Sequence, residues 1–138
     1  MQQLGIHDAA IDWLLDLWHV IQIFDDVVDG DPVSRGDADE AIWAALVKMP
    51  SNPFFIQHAH QLTPALITAI LKWHAADASE RDGTADEISF VWRASYYDVV
   101  LLVLSLCVGY AAAMTRAPLV LRFYGEKFSD YRKEFSDA

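Results

Sequence analysis

The stretch Val99–Thr115, VVLLVLSLCVGYAAAMT, decides the fold. Seventeen residues pass without a charge, which as a helix touches the lower limit for crossing a bilayer. Asp98 and Arg116 bound the run closely, and its upstream extension holds Arg93. A helix that is apolar all round can equally be the centre of a bundle. The aromatic-rich segments around it need something to pack on, so the expectation is a buried central helix in an all-α fold, and not a membrane span.

Upstream of that run, Thr84 with Glu87 reads as a capping box. It predicts the longest helix of the chain, from Ala85 to about Met114. Downstream, Pro118 marks the first turn of a final helix ending near Phe135, which Gly125 is expected to bend or split, with mixed charges reading as a solvated face. Towards the N-terminus, Thr63–Pro64 opens a helix carrying Leu66, Ile67, Ile70, Leu71, Trp73 and His74. That helix fades into the polar stretch Asp77–Asp86, with Gly83 as the break. Asn52–Pro53 starts a short helix with Phe54, Phe55 and Ile56. Asp37 with Glu40 starts another, running through Lys48, whose apolar face is Ile42, Trp43, Leu46 and Val47. Asp8 is the expected N-cap of a first helix of about twenty residues, reaching Val28 or Asp29 and ended by Gly30 and Pro32. No alternation at period two is sustained, so no sheet is expected. The whole, residues 1–138, reads as one all-α domain, a bundle of about six helices.

A net charge of −10 and a pI near 4.6 argue against nucleic-acid binding and against adsorption to anionic membranes. Cys107 is the single cysteine, so no intrachain disulfide forms; inside an apolar run it reads as a small buried hydrophobe. The start MQQLGIHD has no basic region of a signal peptide, which sets a cytoplasmic expectation. No HExxH, CxxC, GxSxG or P-loop pattern occurs.

Chemistry concentrates in His19–Asp31, HVIQIFDDVVDGD. At 3.6 residues per turn Asp25, Asp26 and Asp29 share one end of one helix face. Asp25 continues the apolar line Leu14, Trp18, Ile21, Val28, and a second line runs Leu15, His19, Gln22, Asp26, Asp29. Like charges at this spacing repel, and carboxylates at a helix C-terminus oppose the macrodipole. A divalent cation, Mg²⁺ or Mn²⁺, would neutralise them; the alternative is a solvated helix end. A second acidic line, His74, Asp77, Glu80, offers further ligands or an exposed helix end. Arg93, Tyr96 and Tyr97 stand where the long helix turns wholly apolar, and want carboxylate partners. Pairing of Arg93 or Tyr97 with the Asp25–Asp29 cluster would stabilise it without metal.

FDDVVDGD resembles the first aspartate-rich motif, DDxxD, of class I isoprenoid and terpenoid synthases, and SYYDVVLLVLSLCVGYAA is loosely similar to the Tyr-rich apolar helix of their squalene and phytoene branch. The resemblance implies an isoprenoid-synthase-like helical core in which Asp25, Asp26 and Asp29 hold Mg²⁺ against a diphosphate. From their places on the two helices, His19, Gln22, Arg93, Tyr96 and Tyr97 are expected either to support those carboxylates from behind or to face the ligand. The chain departs from that family in being shorter, in lacking a well-matched second acidic motif, and in lacking the usual basic set for the diphosphate. Over its length it looks like small helical proteins carried in phage and prophage genomes, a likeness from which no activity carries over. The leading expectation is a divalent-cation-binding helical protein taking a diphosphate or prenyl-like molecule. An assembly or interaction module, packing a homodimer or a protein partner through its aromatic surface, is the non-enzymatic alternative. An all-α nucleotide pyrophosphohydrolase is the enzymatic one.

Overall fold

A computed structural model describes residues 2–136. Among them the chain is helical, without strands, and carries seven helices. They are α1 (Asp8–Asp29), α2 (Arg35–Trp43), α3 (Pro53–Arg81), α4 (Glu87–Arg93), α5 (Tyr96–Val108), α6 (Tyr110–Leu121) and α7 (Phe128–Ser136). The chain divides into two compact units, Met1–Ala59 and His60–Ala138.

In the first unit α1 starts at Asp8 with His7 as its extended N-cap, one residue before the expected cap. It ends at Gly30, whose φ of 78° lets its N–H reach the Val27 carbonyl while Asp31 N–H reaches Asp26. The fully buried stripe is Ala10, Trp13, Leu14 and Leu17, and beyond it the helix is at most half-buried. Trp18 and Val28, expected on the inward line, are exposed. The cause lies in what pins α1. Asn52 donates through Nδ2 to the Ala9 carbonyl at 2.9 Å, and Phe55 stacks on Trp13 with ring centroids 5.8 Å apart. Both contacts engage only the first half of α1.

The helix starting at Arg35 is capped by Ser34, whose hydroxyl accepts from Asp37 N–H at 3.1 Å, and not by Asp37. It runs through a π-helical segment, Ala44–Lys48, and a last turn, Met49–Ser51, and this continuous rod packs against α1. Its inward side is small: Ala44 and Met49 are buried. Alanine at the contact lets helix axes approach closely. Lys48 Nζ, 2.9 Å from Asp16, fixes the rod beside α1, and that partner raises the lysine's pKa.

Asn52 caps α3 as expected, its Oδ1 accepting from Phe54 and Phe55 N–H at 2.8 and 3.2 Å. The expected second start at Thr63–Pro64 is absent: Pro64 lies inside α3, and the helix breaks instead at His58 (φ −118°, ψ 20°). Beyond it begins the second unit. Here α3 closes at Gly83, with Thr84 N–H on the Ser79 carbonyl, and the capping box belongs to Asp86 and Ser89 rather than Thr84 and Glu87.

The long helix expected over Ala85–Met114 is three helices. Ala94 and Ser95 turn the chain between α4 and α5, and Gly109, at φ 84° and ψ 165°, turns it between α5 and α6. Gly109 takes a backbone region that a β-carbon makes costly, so the apolar run folds into the α5–α6 hairpin instead of one rod. Tyr96, Val99, Val100, Val103 and Leu104 form the buried face of α5. Pro118 sits near the end of α6, and the final helix starts at Phe128. No single helix among the described residues is long and apolar enough to cross a membrane; α4 and α5 pass together, but bent by 50°.

Candidate functional site

Three places carry the chemistry. The first is the end of α1. Asp25 and Asp26 are half-buried and Asp29 is exposed, with no basic residue in the last turn of the helix. His19 is half-buried with Nε2 3.8 Å from Glu40, and Gln22 is exposed. Among the described residues no three His, Cys, Asp or Glu side chains are placed to hold a metal ion.

The second is a polar network inside the second unit. Arg93, at the end of α4, puts Nη1 3.3 Å from Glu80 of α3 and Nε 3.1 Å from Glu126 in the loop before α7. Its guanidinium lies over the rings of Tyr131 and Phe135, at 5.5 and 5.4 Å. Tyr131 OH donates to Glu80 at 3.3 Å and shares a 2.6 Å hydrogen bond with Ser89, whose Oγ also completes the α4 cap. Tyr124 OH donates to Glu126 at 2.6 Å. One cation thus ties three elements together, and Phe90 fills the space beside it, with Tyr124, Phe128 and Tyr131 at 5.3 to 5.6 Å.

Burial pushes the Glu80 carboxyl up to about 7; Arg93 opposes this, and the charges of Asp77 and Glu126 add to it. Burial would lower the Arg93 pKa, but Glu126 and Glu80 outweigh it and raise it. Burial also raises the Tyr131 and Tyr124 hydroxyls. Folded Glu80 holds its proton more tightly than an unfolded glutamate near 4.5. Its contribution to stability is therefore full below pH 4.5 and lost as pH rises through 7. Against Glu80→Gln, which mimics the neutral form, wild type is expected to lose roughly 1–3 kcal/mol between pH 5 and pH 8. Urea unfolding across that range checks it; parallel curves for the two proteins would mean that Glu80 stays ionised throughout.

The residues of the second acidic line diverge. His74 is exposed, its ring edge-on to Trp73; Asp77 is buried and accepts from Arg81 Nε at 2.9 Å; Glu80 turns to Arg93. Tyr96 is buried, and Tyr97 donates to the Phe123 carbonyl at 3.2 Å. Glu126 and Tyr131 escaped the sequence reading as parts of one network with Arg93. The signal was there in Phe128, Tyr131 and Phe135, a narrow aromatic line through a highly charged segment.

The third place is the outer side of the α2 rod. Ile42, Trp43, Leu46 and Val47 are 59, 60, 68 and 40 % exposed. The bulky apolar residues point away from α1 while alanine and methionine face it, the reverse of an ordinary amphipathic helix. In the second unit Ile67, Ile70 and Leu71 of α3 form a similar exposed stripe. No protein-family model, curated protein or solved structure matches the chain.

Proposed function

We propose that the chain is a protein-interaction module without a catalytic centre of its own, and that the outer face of the α2 rod, from Arg35 through Ser51, is its principal contact surface. One observation carries this: four large apolar side chains lie together on the solvent side of a helix whose opposite side is already packed. Polar residues at those positions would cost the fold little. Apolar area left in water forgoes about 25 cal/mol per Å², so a clustered exposed patch marks a contact surface. The stretch Ala41–Val47, AIWAALV, holds no charge, as the centre of an interface requires.

The test is the double substitution Trp43→Ser/Leu46→Ser. It is expected to change unfolding stability by no more than about 0.5 kcal/mol, as surface changes do, while weakening binding of the apolar dye bis-ANS to the folded protein. A loss of more than about 2 kcal/mol would mean that these side chains belong to the core, and would overturn the proposal.

A further inference from the structure

From the distribution of charge we infer that the occupant of the α2 face is a cationic amphipathic helix of a partner protein. The inference rests on the interaction-module reading and names its partner class. The charge of −10 is not spread evenly. Residues 1–59 carry ten Asp and Glu against two basic residues, a net −8; residues 60–138 carry ten against eight, a net −2. Seven of the acidic residues fall between Asp25 and Glu40, with Arg35 as the only base among them.

Of the two basic residues of the first unit only Lys48 is tightly held; the Arg35 side chain is almost wholly exposed. Arg35 lies 3.9 Å from Asp39, and Lys48 is 2.9 Å from Asp16. Asp37, Asp39 and Glu40 stand on the same helix as the apolar face, one to two turns before its centre, and all three are exposed. The surface is therefore an apolar strip about two turns long beside a carboxylate-rich end. A second copy of the chain would set −8 against −8, and like charges across an interface work against a pair. Nucleic acid and anionic lipid are repelled for the same reason. A helix with apolar residues at i, i+3/i+4 and i+7 and Lys or Arg on its flanks satisfies both halves of the surface.

The probe is a labelled synthetic peptide of about four helical turns, built from Leu and Lys at amphipathic spacing. Beside it run a scrambled peptide of the same composition and a version with Glu for every Lys. Fluorescence anisotropy with the full chain is expected to show binding of the amphipathic Lys peptide at least tenfold tighter than of the scrambled one, with none of the Glu version. Ile42→Ser/Leu46→Ser should weaken binding tenfold or more at any salt. Asp39→Asn/Glu40→Gln should weaken it several-fold at low salt, an effect that fades as salt rises.

Equal binding of the scrambled peptide would reduce the contact to unspecific charge attraction and overturn the inference. Binding of the Glu peptide as tight as the Lys peptide would overturn the partner class and leave the interaction module standing. A concentration-dependent dimer in sedimentation, lost in Ile42→Ser/Leu46→Ser and unaccompanied by peptide binding, would put a second copy on the face instead. Neither peptide binding nor association, with bis-ANS binding also absent, would remove both proposals together.

Discussion

Replacing Arg93 by Met is expected to destabilise the second unit by roughly 2–4 kcal/mol at pH 8, and by clearly less at pH 5. Arg93 bridges Glu80 and Glu126 and covers the Tyr131 and Phe135 rings, so its loss strands two poorly solvated carboxylates. Breaking a fully buried pair in this one-sided way costs about 3–5 kcal/mol. The guanidinium keeps part of its surface in water, which trims the figure. The pH dependence follows from Glu80. Its carboxyl is raised to about 7 even with the cation present, so without it the group takes up a proton at neutral pH and escapes part of the penalty. Arg93→Met/Glu80→Gln should accordingly be more stable at pH 8 than the two single losses added together, by about 1–2 kcal/mol. Urea unfolding, with hydrogen exchange in α4 and α7 to localise the effect, measures it. Strict additivity would mean that Arg93 and Glu80 do not act as a pair in solution.

That network also shows where sequence patterning stops. Helix content was legible, because caps and breakers act locally: Asn52, Gly30 and Gly83 end or start helices where their chemistry says they must. Helix continuity was not. The run through Val99–Thr115 has no breaker except Gly109, and an isolated glycine in an apolar stretch is compatible with an unbroken helix at a modest cost. Only the packing of α5 against α6 selects the positive φ that makes it a corner. Arg93 was recognisable as a buried cation in need of carboxylates, but which carboxylates depends on residues 13 and 33 positions away. No periodicity links Glu80 and Glu126.

The α2 rod misled in a more instructive way. Ile42, Trp43, Leu46 and Val47 have the spacing of an apolar face, and an apolar face ordinarily points to the core. The same stretch offers a second, less bulky face on which Ala44 and Met49 are the buried residues, in and just after the π segment. Hydrophobicity alone ranks the bulky face first; close helix approach and the Lys48–Asp16 pair favour the small one. The Asp25–Asp29 cluster was legible as locally unfavourable. Full burial along α1 ends at Leu17, two turns before it, which the sequence did not announce.

The point where α1 is held is also where the first unit is most vulnerable. Trp13 is fully buried against Phe55, and Trp13→Ala is expected to cost roughly 3–5 kcal/mol, the usual loss when a large aromatic leaves a cavity. Trp13→Phe should cost far less than its lost volume suggests. Among the described residues the indole Nε1 has no hydrogen-bond partner, so the native side chain already carries an unpaired buried donor. Removing that donor returns about 1–3 kcal/mol of desolvation cost and offsets most of the smaller ring's packing deficit. The expected net change is below about 1 kcal/mol. Hydrogen exchange along Ala10–Leu17, with urea unfolding of wild type and both variants, separates the two effects. If Trp13→Phe proves nearly as damaging as Trp13→Ala, the indole N–H has a partner in solution, and α1 is held there by a hydrogen bond as well as by packing.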